Sequence, residues 1–169
     1  MRAKIDKILE KVLVILMIIL VLDVLWQVLS RYVNKFLSSS YDIQIPTKFY
    51  AFTDELAGFL LVWVALLGAA YATGKKQHLA IELLPSKLNE KNNKILSMII
   101  EVFILMFSVG VLLIGGIWLV YTRFYLGQVS AGMEMPIGLV YLIVPLSGML
   151  ISYYASSDFI SLFKSLNTK

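Results

Sequence analysis

The chain has 169 residues, of which 59% are apolar and 15% charged, and its formal net charge is +4. Its mean hydropathy is +0.81. Soluble domains are about 45–50% apolar with glycine included and about 25% charged, so this composition excludes a soluble enzyme and a disordered chain and points to lipid.

A helix that crosses a hydrocarbon core about 30 Å thick needs about 20 residues. Four such spans leave only short connections and no room for a soluble domain. No G-x-x-x-x-G-K-[ST] loop is present, so this chain does not itself use ATP. With no cysteine, thiol nucleophiles, thiolate metal sites and disulfide exchange are excluded. The single histidine, His78, is too little for a histidine-built zinc site or a bis-histidine haem. No catalytic constellation is visible and no cofactor is implied for this chain.

The first expected span covers residues 12–32. Residues 12–22 are apolar, Asp23 interrupts, and the apolar run resumes at Val24. A cleaved signal peptide is the rival reading of this stretch. No small-x-small site follows, however, and Asp23 and Trp26 stand where cleavage would fall. An intramembrane carboxylate costs about 2.5–3.5 kcal/mol on insertion scales, which makes Asp23 a functional candidate by default. A carboxyl bonded to a neighbouring helix or subunit is favoured over a proton carrier. Arg31 lies two turns on along the same face, rather far for a direct pair with Asp23.

Residues 38–52 mix aromatic and aliphatic side chains with Ser38, Ser39, Ser40 and Pro46. They read as a segment lying along the outer membrane interface, with Lys48 exposed to a partner. The second span covers residues 55–74. Thr53 reads as its N-cap, with Asp54 and Glu55 as first-turn acids that complement the helix dipole and meet a partner. Small residues recur at helical spacing: Ala65 with Ala69, Gly68 with Ala72, Ala70 with Gly74. Such faces allow close helix approach in lipid, either within the chain or against a second membrane protein. On the inner side, residues 78–84 read as a short amphipathic helix stopped by Pro85, with His78 and Glu82 spaced to pair.

The third span covers residues 96–121, followed by Tyr121 and Tyr125 as interfacial aromatics. The fourth covers residues 136–157. Pro136 suits its first turn, Pro145 is expected to kink it, and Gly148, Ser152 and Ser156 lie on one face. Most of the 15 basic residues fall at the N-terminus, in the connection after span two and at the C-terminus. Only Arg31, Lys35, Lys48 and Arg123 fall on the other side. The positive-inside rule then places both termini in the cytoplasm. The expected fold is an all-α integral membrane protein, a single domain of four transmembrane helices with short amphipathic interfacial segments. The basic excess is read as a topology signal, and no nucleic acid partner is implied.

Several segments together resemble a known family. They are Thr53-Asp54-Glu55-Leu56-Ala57, Leu61-Val62-Trp63, Leu67-Gly68-Ala69-Ala70 and His78. They continue with Gln128-Val129-Ser130, Met135-Pro136, Tyr141, Pro145 and Gly148, and the early Trp26, Arg31 and Tyr32 also fit. In order and spacing they resemble the small membrane subunit of tripartite ATP-independent periplasmic (TRAP) transporters. One departure is Gly58, where the family often carries a basic residue; this removes a local partner for Asp54 or Glu55.

The resemblance implies a bacterial inner-membrane scaffold that braces a large multi-span subunit. That partner would move an organic acid, sialic acid or a C4-dicarboxylate, on a sodium gradient after delivery by a periplasmic binding protein. The small subunit itself would hold neither substrate nor sodium. Asp23, Trp26, Arg31, Asp54, Glu55, Trp63, Gly68, Ala72, Gly148 and Ser152 become candidates for the large-subunit interface. Lys48, Arg123 and Gln128 become candidates for docking the binding protein. The competing reading is a small proton-coupled exporter that depends on Asp23.

Overall fold

The first helix contains no glycine or proline, and it does not stop where its apolar run stops. In a computed structural model, α1 runs Arg2–Tyr41, 40 residues. At 1.5 Å per residue that is about 60 Å, roughly twice the hydrocarbon thickness. The structure describes residues 2–41, 47–75 and 90–167. The inner segment 78–84, with His78 and Glu82, lies outside the described residues, as do residues 42–46 of the outer segment.

α2 runs Thr47–Gly74, so its start corrects the expectation of a helix capped by Thr53. No glycine or proline separates Thr47 from Leu56, and extending an existing helix costs little compared with starting one. Thr53 is therefore an interior, buried residue, and Asp54 and Glu55 are not first-turn acids. The flanks of the expected outer interfacial segment are helical too: residues 38–41 finish α1 and residues 47–52 begin α2.

The third span is one rod of three parts: α3 (Glu90–Phe107), a π-helical segment (Ser108–Gly115) and α4 (Gly116–Tyr125). The fourth is split into α5 (Ile137–Tyr141) and α6 (Ile143–Asn167). Proline has no N–H to donate to the carbonyl four residues back. The helix breaks at Leu142, three residues before Pro145, where the Leu142 N–H turns to the Leu139 carbonyl at 3.3 Å. Pro136 is the extended N-cap of α5 (ψ 119°), one position outside the helical turn expected for it.

Among the described residues, four helices are long and apolar enough to cross a membrane: Arg2–Ser39, Phe52–Gly74, Lys94–Tyr125 and Ile137–Lys164. Their burial differs. In the most apolar stretch of the fourth, 39% of residues are buried inside the chain, against 0% for the first. α6 is thus the central helix, packed by α2, α3 and the π segment, while α1 lies antiparallel along α2 at the edge. A small core joins α1, α2 and α6 through Leu9, Leu67, Ile143 and Tyr154.

Lipid supplies no hydrophobic drive between helices, so close packing must hold the span together. A Cβ on Gly148 would stand 2.9 Å from the Leu113 nitrogen, and one on Gly116 would stand 2.9 Å from the Pro145 nitrogen. These two glycines let α6 seat directly on the third rod. The Ser108 and Ser152 hydroxyls meet at 2.9 Å across the same contact. Gly148 and Ser152 therefore pack within the chain.

Candidate partner-docking surface

Two polar clusters mark the opposite ends of the bundle. At one end, Arg2 of α1 reaches across to α6. Its guanidinium donates to Asp158 at 2.6 and 3.0 Å and to the Gly74 carbonyl at 2.6 Å. The Tyr154 hydroxyl donates to Asp6 at 2.6 Å, and the Arg2 guanidinium lies 5.3 Å from the Tyr154 ring centroid. Gly74 is required here, because a Cβ would stand 2.8 Å from that ring. The cluster ties the first, second and fourth spans at one level and places Arg2 beside the later half of α6.

The other end carries the residues that the sequence singled out. Arg31 donates to both oxygens of Asp54, at 2.6 and 2.9 Å. The Gln27 amide donates to Asp54 as well. Gly58 offers Asp54 no local partner, and α1 supplies one from across the helix pair. This ion pair is open, with the two side chains 58% and 46% exposed. Asp23, Gln27 and Arg31 follow one another at four-residue spacing and so form a single polar stripe on one face of α1. Trp26 stands beside the stripe and is 51% exposed.

Glu55 points the other way, into the connection between α4 and α5. Its Oε1 accepts the Ala131 N–H at 3.0 Å and its Oε2 accepts the Met133 N–H at 3.1 Å. The connection is a folded loop. The Ser130 N–H donates to the Met135 carbonyl at 2.9 Å, and the Ile137 N–H donates to the Gln128 carbonyl at 3.0 Å. Glu134 takes a positive φ of 54° in this turn. Glu55 thus fixes the loop to α2, a role that first-turn capping did not anticipate.

An open cleft of about 590 Å³ lies between α1, α2 and this loop. It is lined by Asp23, Trp26, Phe52, Thr53, Met133 and Glu134, among others. The Oδ2 of Asp23 is buried there without a hydrogen-bond partner.

The remaining candidates are scattered. The Trp63 indole donates to the Val140 carbonyl at 2.9 Å and packs on the core. Gly68 has nothing within 4 Å of where a Cβ would stand, so the face it shares with half-buried Ala72 is not in tight contact with the rest of the chain there. Arg123 donates to Gln128 and lies 5.5 Å over the Tyr141 ring, so these two of the three expected docking residues brace the loop from within. Lys48 falls in α2, whose backbone alone is described at that point. Sequence reasoning passed over Arg2, Asp6 and Asp158. Asp158 was the most legible of these, as the first charge after the long apolar run of the fourth span.

The sequence model described as "Tripartite ATP-independent periplasmic transporters, DctQ component" matches residues 17–165. A protein of Haemophilus influenzae named as a TRAP transporter small permease is 30% identical over 100 residues. The aligned stretch covers 59% of this chain and 60% of that relative's length. With the family match extending over all four spans, the chain belongs to the DctQ component of TRAP transporters, a small membrane-permease subunit and not an enzyme.

Proposed function

We propose that this subunit is a scaffold: it braces the large membrane subunit of a sodium-driven TRAP transporter and helps to dock the periplasmic binding protein. The observation that carries this reading is the open face of α1. Its apolar stretch is unburied within the chain, and along its open border with α2 runs the Asp23–Gln27–Arg31 stripe with the exposed pair to Asp54. Lipid tails alone would solvate such a stripe poorly, whereas a protein partner offers complementary groups.

In this reading the N-terminal basic cluster lies in the cytoplasm of a bacterium, with the chain in the inner membrane. The Arg31 end and the loop held by Glu55 then face the binding protein, with Lys48 on the same side. The cargo is an organic acid, with sialic acid favoured over a C4-dicarboxylate. The Asp23-dependent exporter gives way to the family membership.

The test is purification in mild detergent, followed by uptake in proteoliposomes. The chain is expected to retain a much larger membrane protein. The two together should take up a labelled organic acid when sodium and a binding protein are supplied, and the chain alone should give no uptake. Uptake by the chain alone, or failure to retain a large membrane partner, overturns the scaffold reading.

A further inference from the structure

Asp23 lies about 12 Å along α1 from Arg31, toward the middle of the span. The donors on its own face are committed elsewhere, since both Gln27 and Arg31 donate to Asp54. Asp23 Oδ2 is buried and accepts no hydrogen bond. A buried carboxylate oxygen without a donor is costly, and the cost is greatest in a low-dielectric setting.

The cleft beside it, at about 590 Å³, is far larger than the roughly 30 Å³ share of one water. Trp26 and Phe52 line it and are themselves largely exposed. The space is therefore open and largely apolar-sided, with the carboxyl groups of Asp23 and Glu134 in its lining. Among the described residues no group of three or more acidic or histidine side chains gathers to hold a metal ion. This lining suits an apolar stem with a cationic head, and the exposed indole adds attraction for such a head.

We propose that this cleft receives one lysine or arginine side chain of the large membrane subunit, with its charged head on Asp23 and its stem between Trp26 and Phe52. The proposal rests on the scaffold reading, which places α1 against that partner. It adds the chemistry of the contact: the large subunit carries a basic residue within the membrane at the level of Asp23.

The experiment uses the detergent-purified complex of small and large subunits. Asp23→Asn is expected to lower retention of the large subunit about tenfold or more, the usual effect of removing one partner of a buried charge pair. Asp23→Glu, which keeps the charge, is expected to retain it. Asp23→Lys should disrupt the complex, and changing one lysine or arginine in the large subunit's membrane segments to glutamate should restore it. Size-exclusion of each variant alone separates loss of contact from loss of fold.

Wild-type retention by Asp23→Asn, or the absence of any basic position that rescues Asp23→Lys, overturns the proposal. So does loss of retention on delipidation that an amine-headgroup lipid reverses, because the occupant is then lipid. A shift in the sodium dependence of uptake by Asp23→Asn at full retention also overturns it, because the occupant is then an ion. Failure of the wild-type chain to retain any large subunit removes the scaffold reading and this proposal together. Intact wild-type retention with an indifferent Asp23→Asn removes this proposal alone.

Discussion

Arg2 and Asp158, 156 positions apart, meet in a two-pronged ion pair at 2.6 and 3.0 Å. The aspartate side chain is 4% exposed and the arginine 31%. Removing one partner of a fully buried pair costs about 3–5 kcal/mol. With Arg2 partly open, Arg2→Ala is expected to cost about 2–3 kcal/mol. Thermal unfolding in detergent measures it. A double-mutant cycle with Asp158→Ala should show coupling of about 1–3 kcal/mol; strict additivity would mean that the two groups do not depend on each other.

Substitution at two glycines separates internal packing from an external face. Gly148→Val drives side-chain atoms into the backbone at Leu113, where a Cβ would already stand at 2.9 Å. Overpacking of this kind costs about 1–3 kcal/mol or more. Gly68→Leu meets open space within the chain, so the isolated subunit should unfold at or above the wild-type temperature, helped by the better helix propensity of leucine. If the Gly68 face contacts the large subunit, the same change weakens co-purification while leaving the isolated fold intact.

The Glu55 carboxylate and the amides of Ala131 and Met133 make a prediction about mobility. Glu55→Ala removes both carboxylate acceptors at once, so the Ala131 amide loses its Glu55 acceptor and the Met133 amide keeps only the Ser130 hydroxyl, at 3.2 Å. Hydrogen exchange across residues 130–134 should quicken about tenfold or more, as local opening becomes easier. Exchange in α6 should stay as in the wild type. Glu55→Gln keeps one oxygen acceptor and should give an intermediate rate.

The Arg31–Asp54 pair is exposed, and exposed pairs contribute under about 1 kcal/mol. Arg31→Ala should therefore barely change the melting of the isolated chain. In the complex it should weaken retention of the large subunit severalfold, and the exchange Arg31→Asp with Asp54→Arg should recover part of that loss. A large destabilisation of the isolated chain would show the pair to be internal structure.

The four spans were legible because lipid imposes a length and an apolar content on each crossing, and both are visible as long apolar runs with few charges. The start of α2 was not: Asp54 and Glu55 have the composition of a helix start, but the helix already runs from Thr47, and their partners, Arg31 and residues 131–133, lie far off in the chain. Pro145 announced the break in the fourth span, since a missing N–H is a property of the residue itself. The cluster of Arg2, Asp6, Tyr154 and Asp158 was hidden because it joins residues from the two ends of the chain. Nothing local in either stretch names the other.

The π-helical segment Ser108–Gly115 sets the rotational phase of everything after it. On α4, Trp118, Tyr121 and Tyr125 form an exposed row, with ring centroids 6.3 and 6.0 Å apart in succession. Each residue of a helix turns the next by about 100°, so losing one residue from this segment would swing the aromatic row about a quarter turn relative to α3. The row would then face a different neighbour, although no aromatic residue had changed. The length of this segment is therefore a property of the surface as much as of the backbone.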